Sequence, residues 1–137
     1  MPKSAAPPPE FFVDRSLGNR IVPEAIRALG FRVWAMSDIY PNETDEGVAD
    51  VDWIERAGRE NWVVLTKDER ITRRPDEVEA LEASGVRVFA IGNQHLTGPQ
   101  MAGYYTANIH RIVQRARKAG PFVDIVHPKT VERRWPK

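Results

Sequence analysis

Phe11-Phe12-Val13-Asp14-Arg15-Ser16-Leu17-Gly18 decides how the rest of the chain is read. Three consecutive apolar residues bounded by a polar turn signal read as a short strand buried on both faces. Asp14 closes it, and Gly18 and Asn19 lead into a helix. In that helix Ile21, Val22, Ala25, Ile26, Ala28 and Leu29 share one stripe, Pro23 is tolerable only in the first turn, and Gly30 is the stop. Phe31 to Met36 then reads as a second strand, and the polar stretch from Ser37 to Gly47 as a loop.

The same rhythm continues downstream. A helix from about Val48 to Glu60 precedes the strand Trp62-Val63-Val64-Leu65, which ends at Thr66-Lys67-Asp68. Pro75 opens a helix that Gly85 ends, and Val86 to Ile91 is the next strand, closing at Gly92-Asn93. One long helix is expected from about Gly98 to Lys118, with Phe122 to Val126 as a last, edge strand. Short continuous apolar strands alternating with helices imply an α/β fold, a mostly parallel sheet covered on both faces. Residues 1–9, rich in proline and lacking an apolar core, read as a flexible tail rather than a secretory signal. Residues 10–127 read as one domain and 128–137 as a basic tail.

The 137 residues, 42% hydrophobic, suffice for one packed core. No apolar run is long enough for a membrane span. Zero cysteines exclude disulfides, zinc-thiolate sites and thiol nucleophiles; a cytoplasmic location is consistent with that absence without following from it. The three histidines form no triad or zinc pattern. Net charge is only +1, but eight acids lie between Asp38 and Glu60 and eight bases between Arg111 and Lys137. That asymmetry suits a protein that gathers cations at one place and polyanions at another, and suits two solvated faces equally well.

In a parallel sheet every strand delivers its C-terminal end to one edge, where ligands bind. Asp14, Asp38, Asp68 and Asn93 each follow a strand, and Asp52 sits early in the helix leading to the third. Clustered carboxylates need a compensator, and oxygen-only donors favour hard cations such as Mg²⁺ or Mn²⁺. The chemistry implied is hydrolysis of a phosphate ester. Each acid also has an ordinary alternative: a helix cap for Asp14, an answer to the helix dipole for Asp52, turn chemistry for Asp68 and Asn93. Thr66 is either an orienting hydroxyl or an ordinary strand residue.

Phe11 to Gly18, Asp52-Trp53-Ile54-Glu55-Arg56-Ala57 and Trp62 to Asp68, with Val86 to Asn93 and Leu96-Thr97-Gly98, resemble the PIN-like domain family in its VapC-type toxin branch. The resemblance spans about residues 10 to 127. It implies a three-layer fold and a Mg²⁺- or Mn²⁺-dependent endoribonuclease, the toxin of a toxin–antitoxin pair, with RNA as substrate, an antitoxin protein as partner and a homodimer as assembly. Asp14, Asp52 and Asp68 would be the metal-binding acids and Thr66 a catalytic neighbour, with Asn93 and Glu46 as further or water-mediated ligands. Arg15, Lys67, Arg70, Arg73, Arg111 and Arg115 would contact RNA phosphates. The family's usual glutamate has no secure counterpart, with Asp45 and Glu46 nearest; an inactive PIN-like module that binds RNA or a protein is the alternative that this opens.

Overall fold

The computed structural model describes residues 7–41 and 48–136. Its elements, in order, are β1 (Phe11–Val13), α1 (Ile21–Arg27), β2 (Val33–Ala35), α2 (Met36–Ile39), α3 (Asp50–Glu60), β3 (Val63–Thr66), α4 (Pro75–Ser84), β4 (Arg87–Ala90), α5 (Gly98–Ala107), α6 (Ile109–Arg115), β5 (Phe122–Val126) and β6 (Val131–Trp135). Short 3-10 turns follow β1 at Arg15–Leu17 and β3 at Glu69–Arg73. The strands form one sheet in the order β2-β1-β3-β4-β5-β6, parallel except for the antiparallel β5–β6 pair.

Strand alternation sends neighbouring residues to opposite faces. Phe11, Val13, Val63, Leu65 and Phe89 pack beneath α1, α5 and α6 in one core. Phe12, Val64, Val88 and Ala90 pack beneath α3 and α4 in the other, with Trp53, Ile54, Ala57 and Leu81. Trp53, Phe12, Trp62 and Trp34 form a run of stacked rings with centroids 5.6, 5.8 and 5.7 Å apart. Two helical layers around one sheet give the three-layer α/β fold expected.

Three details differ from the sequence reading. The long helix breaks at Asn108, whose fully buried amide donates to the Tyr104 carbonyl at 2.8 Å and the His127 carbonyl at 2.7 Å. The side chain thus ties the helix to the β5–β6 turn. Phe122–Val126 is an interior strand, buried along its whole length, because Val131–Trp135, read as tail, covers its outer side as β6. Asp124 in β5 is completely buried and accepts from Arg115 and Arg133, each at 2.6 Å, which holds that last strand in place. Within the expected loop after β2, α2 forms because Asp38 accepts from the Ala35 backbone N–H at 2.8 Å and closes its first turn.

α3 and α4 approach most closely near their C-terminal ends, at Gly58. A Cβ there would lie 2.4 Å from Ser84 Cβ and 2.7 Å from its carbonyl oxygen. Alanine would gain roughly 1 kcal/mol in helix propensity, but a clash against backbone costs about 1–3 kcal/mol or more, so the clash wins. Gly58→Ala is expected to lower the thermal midpoint by a few degrees; an unchanged or raised midpoint in calorimetry would show that the two helices are free to separate.

Candidate metal centre

The sheet order places the reversal of winding between β1 and β3, and the crevice outside their C-terminal ends is where open α/β sheets hold ligands. Asp14 stands there. Its backbone N–H donates to the Leu65 carbonyl at 3.0 Å, so strand pairing alone fixes its position. The side chain is only 4% exposed. One carboxylate oxygen, Oδ2, accepts from Ser16 Oγ at 2.7 Å and Thr66 Oγ1 at 2.9 Å. The other, Oδ1, is buried and has no hydrogen-bond partner among the described residues. Burial pushes the Asp14 carboxyl above its ordinary value against the pull of those two hydroxyls, and repulsion from Asp50 adds to the rise.

Thr66 and Ser16 bind the two strand ends together. Thr66 Oγ1 accepts from the Asp68 backbone N–H at 3.1 Å while donating to Asp14, and Ser16 Oγ accepts from the Lys67 N–H at 2.9 Å. The Thr66 hydroxyl therefore orients a carboxylate, one of its two expected roles. From beneath, the buried Tyr105 hydroxyl lies 3.0 Å from the Thr66 carbonyl and 2.9 Å from that of Phe89. Ser16 has no functional reading in the sequence, whereas Tyr105, at helical spacing with Tyr104, reads as a core or interface residue before a base-stacking one.

Three further acids converge nearby: one oxygen each from Asp50, Asp68 and Glu77 lies within 4.8 Å of the others. Asp50 and Glu77 occupy the first turns of α3 and α4, where the helix dipoles favour negative charge. Arg74 stands among them, its Nη1 donating at 2.8 Å to both Asp68 and Glu77 and lying 3.8 Å from Asp50. Those contacts raise the Arg74 pKa further, and burial lifts the Glu77 carboxyl above its ordinary value even beside Arg74. Arg15 approaches Asp50 at 3.4 Å and donates to the Val48 carbonyl at 2.8 Å.

The placement of Asp52 differs from expectation. It is exposed, and the group its charge perturbs is Tyr40, whereas Asp50 accepts from Trp53 Nε1 at 2.9 Å on the inner side of α3. Successive helical residues turn by 100°, so positions 50 and 52 point in nearly opposite directions. Phase identifies the inner one: Asp50 precedes the buried Trp53 and Ile54 by three and four residues. Glu77 bears the same relation to Ala80 and Leu81. Glu46 and Asp45 lie outside the described residues.

The other expected contacts are dispersed. Asn93 is exposed, its side chain accepting from the His95 N–H in a local turn at 2.8 Å. Arg70 and Arg73 are exposed on the turn after Asp68, and Lys67 sits beside them. Arg115 is engaged with Asp124. Arg111 is exposed on α6, and the end of that helix lines a cavity of about 610 Å³ with Glu10, Asn61 and Arg87. Those three residues stand at the starts of strands, so the cavity lies on the sheet edge opposite the acids.

The residues present fit a hard divalent cation. All donors are oxygen, and a buried carboxylate oxygen left without a partner at the sheet's ligand edge is the kind of atom that a cation satisfies.

The model of the family described as "PIN like domain" matches residues 9–93. A curated protein of Mycobacterium tuberculosis (strain ATCC 25618 / H37Rv), named "Putative ribonuclease VapC45", is 34% identical over 122 residues, covering 89% of this chain and 88% of that one. No solved structure matches at a significant level. Among the described residues no helix is long and apolar enough to cross a membrane. The family match and this relative together settle the ancestry: the chain belongs to the PIN-like domain family, in its VapC-type branch.

Proposed function

We propose that the chain is a Mg²⁺- or Mn²⁺-dependent endoribonuclease, acting as the toxin of a toxin–antitoxin pair, with RNA as substrate and an antitoxin protein as partner. The observation that carries this reading is Asp14, buried at the switch point with Oδ1 unpartnered among the described residues and its charge repelled by that of Asp50. Asp14, Asp50, Asp68 and Glu77 would hold the cation. A bound divalent cation supplies Lewis-acid polarisation of a phosphodiester and makes a nucleophile available near neutral pH. Thr66 and Ser16 hold the Asp14 carboxylate by one oxygen and leave the other without a hydrogen-bond partner among the described residues. Lys67, Arg70 and Arg73, which flank Asp68, would meet the phosphate backbone, giving affinity and salt dependence rather than sequence choice. The name of the relative supports the same activity.

The alternative, a PIN-like module without nuclease activity that binds RNA or a protein, draws support from Arg74, which already compensates the acids. Substitution separates the two. Asp14→Asn and Asp50→Asn are expected to reduce Mn²⁺-dependent RNA cleavage by at least about a hundredfold, since even residues behind metal ligands contribute about 10–100-fold. Asp52→Asn should retain the parent rate. Equal cleavage by Asp14→Asn and the parent would remove the nuclease reading, and loss in Asp52→Asn alone would return the site to the other side of α3.

A ligand that binds only the folded state stabilises it by about 2.7 kcal/mol at a hundred times its Kd. Saturating Mn²⁺ should therefore raise the parent's thermal midpoint and leave Asp14→Asn nearly unmoved; a parent indifferent to Mg²⁺ and Mn²⁺ favours the inactive module.

Protons compete with the cation for the same oxygens. Because burial raises the Asp14 and Glu77 carboxyls above their ordinary values, both become protonated at a higher pH than exposed acids do. Mn²⁺ affinity should accordingly weaken as pH falls toward those raised values, before ordinary carboxylates titrate. Calorimetric titrations at pH 7 and pH 5 check this, and an affinity that holds constant between them contradicts it.

A further inference from the structure

Arg74 is placed at its position by the backbone, as the residue immediately before Pro75 opens α4. From there a single nitrogen, Nη1, serves Asp68 and Glu77 at 2.8 Å each and lies 3.8 Å from Asp50. These are the same three carboxylates whose oxygens lie within 4.8 Å of one another. The neighbouring Asp14 contributes a buried oxygen with no hydrogen-bond partner among the described residues. One positive centre thus stands where a small cation bound to the cluster would stand, and the two cannot share those oxygens without repelling each other. The Arg74 side chain is 36% exposed, so its head can leave the acids for solvent without unpacking the core. Outside lies the rim of Lys67, Arg70 and Arg73.

We propose that Arg74 is a built-in counter-ion that exchanges with the divalent cation, holding the acids together in the metal-free protein and, once displaced, turning outward to contact the RNA phosphate. This rests on the nuclease reading above only for its second half. The exchange concerns cation binding alone.

Two consequences of opposite sign follow. Removing the Arg74 charge should tighten Mn²⁺ binding, by about tenfold for one unit charge a few ångströms from a divalent ion in a largely solvated setting. It should also slow RNA cleavage at saturating Mn²⁺. A purely structural role would move both in the same direction, because a loosened site binds metal less well.

The test compares Arg74→Gln with the parent by Mn²⁺ calorimetry, and then by RNA cleavage with the metal saturating. Arg74→Lys, which keeps the charge but loses the planar fork that holds two carboxylates at once, carries the comparison if the Gln variant unfolds without metal; its affinity for Mn²⁺ should rise above the parent's by less than the tenfold expected for Arg74→Gln. In the parent, the Arg74 Nε–H resonance, assigned by its disappearance in the variant, should shift when Mg²⁺ is added. Tighter Mn²⁺ binding with a shifted resonance and slower cleavage is the expected result. Unchanged or weaker Mn²⁺ binding, or a resonance indifferent to saturating Mg²⁺, overturns the exchange. Tighter binding with undiminished cleavage overturns the phosphate contact. If the parent binds Mn²⁺ but cuts no RNA, the nuclease reading and the phosphate contact that rests on it fail, and the exchange is judged on the titration and resonance alone.

Discussion

A carboxylate buried at the end of a strand with only one of its oxygens satisfied is expensive, and the layout of this molecule follows from accommodating Asp14. β1 carries it into the crevice because Phe11, Phe12 and Val13 are buried on both faces and leave the chain no freedom there. Ser16 and Thr66 then spend both of their hydroxyl protons on the same oxygen, which fixes the orientation of the group and leaves Oδ1 directed away from them. Desolvation outweighs those hydrogen bonds, so the neutral form is favoured relative to an exposed aspartate. A protein built for stability alone would place an apolar residue or a second donor at this position.

The surrounding acids are tolerated through two separate devices. Asp50 and Glu77 sit on the first turns of α3 and α4, where backbone N–H groups provide positive potential. Arg74 and Arg15 add whole charges from opposite sides. Glu77 nonetheless titrates above an ordinary glutamate, because burial disfavours its charge by more than the Arg74 hydrogen bond restores. Four carboxylates against two guanidiniums is the charge balance on which the proposed cation site rests. The close approach of α3 and α4 at Gly58 matters for the same reason, because it sets how the opposite ends of those helices converge.

How much of this was legible in the sequence depended on the period of the element carrying it. Asp14 and Asp68 were visible because a residue that follows a buried strand in a parallel sheet has one place to be. Asp50 and Asp52 both lie in the first turn of α3, so residue type and position in the helix do not separate them. Only the phase of Trp53, Ile54 and Ala57 separates them. Glu77 carries the same mark from Ala80 and Leu81, but it follows β3, outside the stretch between Asp14 and Asp52 that holds Asp45 and Glu46. The break at Asn108 and the pairing of β6 had no local signal, as both rest on contacts between segments distant in sequence: an amide reaching His127, and Arg133 reaching Asp124. Arg74, in a basic run beside Arg73, is distinguished from its neighbour only by what α3 and β3 bring next to it.

Asp124 supplies the contrast that gives Asp14 its meaning. Both are aspartates at or within strands of one sheet, and both are removed from solvent. Asp124 has each oxygen met by an arginine at 2.6 Å, and those arginines come from α6 and β6, the elements it holds in place. Its charge is closed off by the protein itself, which is how a buried carboxylate serves architecture. Asp14 receives two neutral hydroxyls on one oxygen and nothing on the other, although Arg15 is its neighbour in sequence and points instead to Asp50 and Val48. The chain therefore has the means to satisfy a buried acid completely, and does so in one strand while leaving the other open at the ligand edge of the same sheet. Packing alone offers no reason for that difference; a partner from outside the chain does.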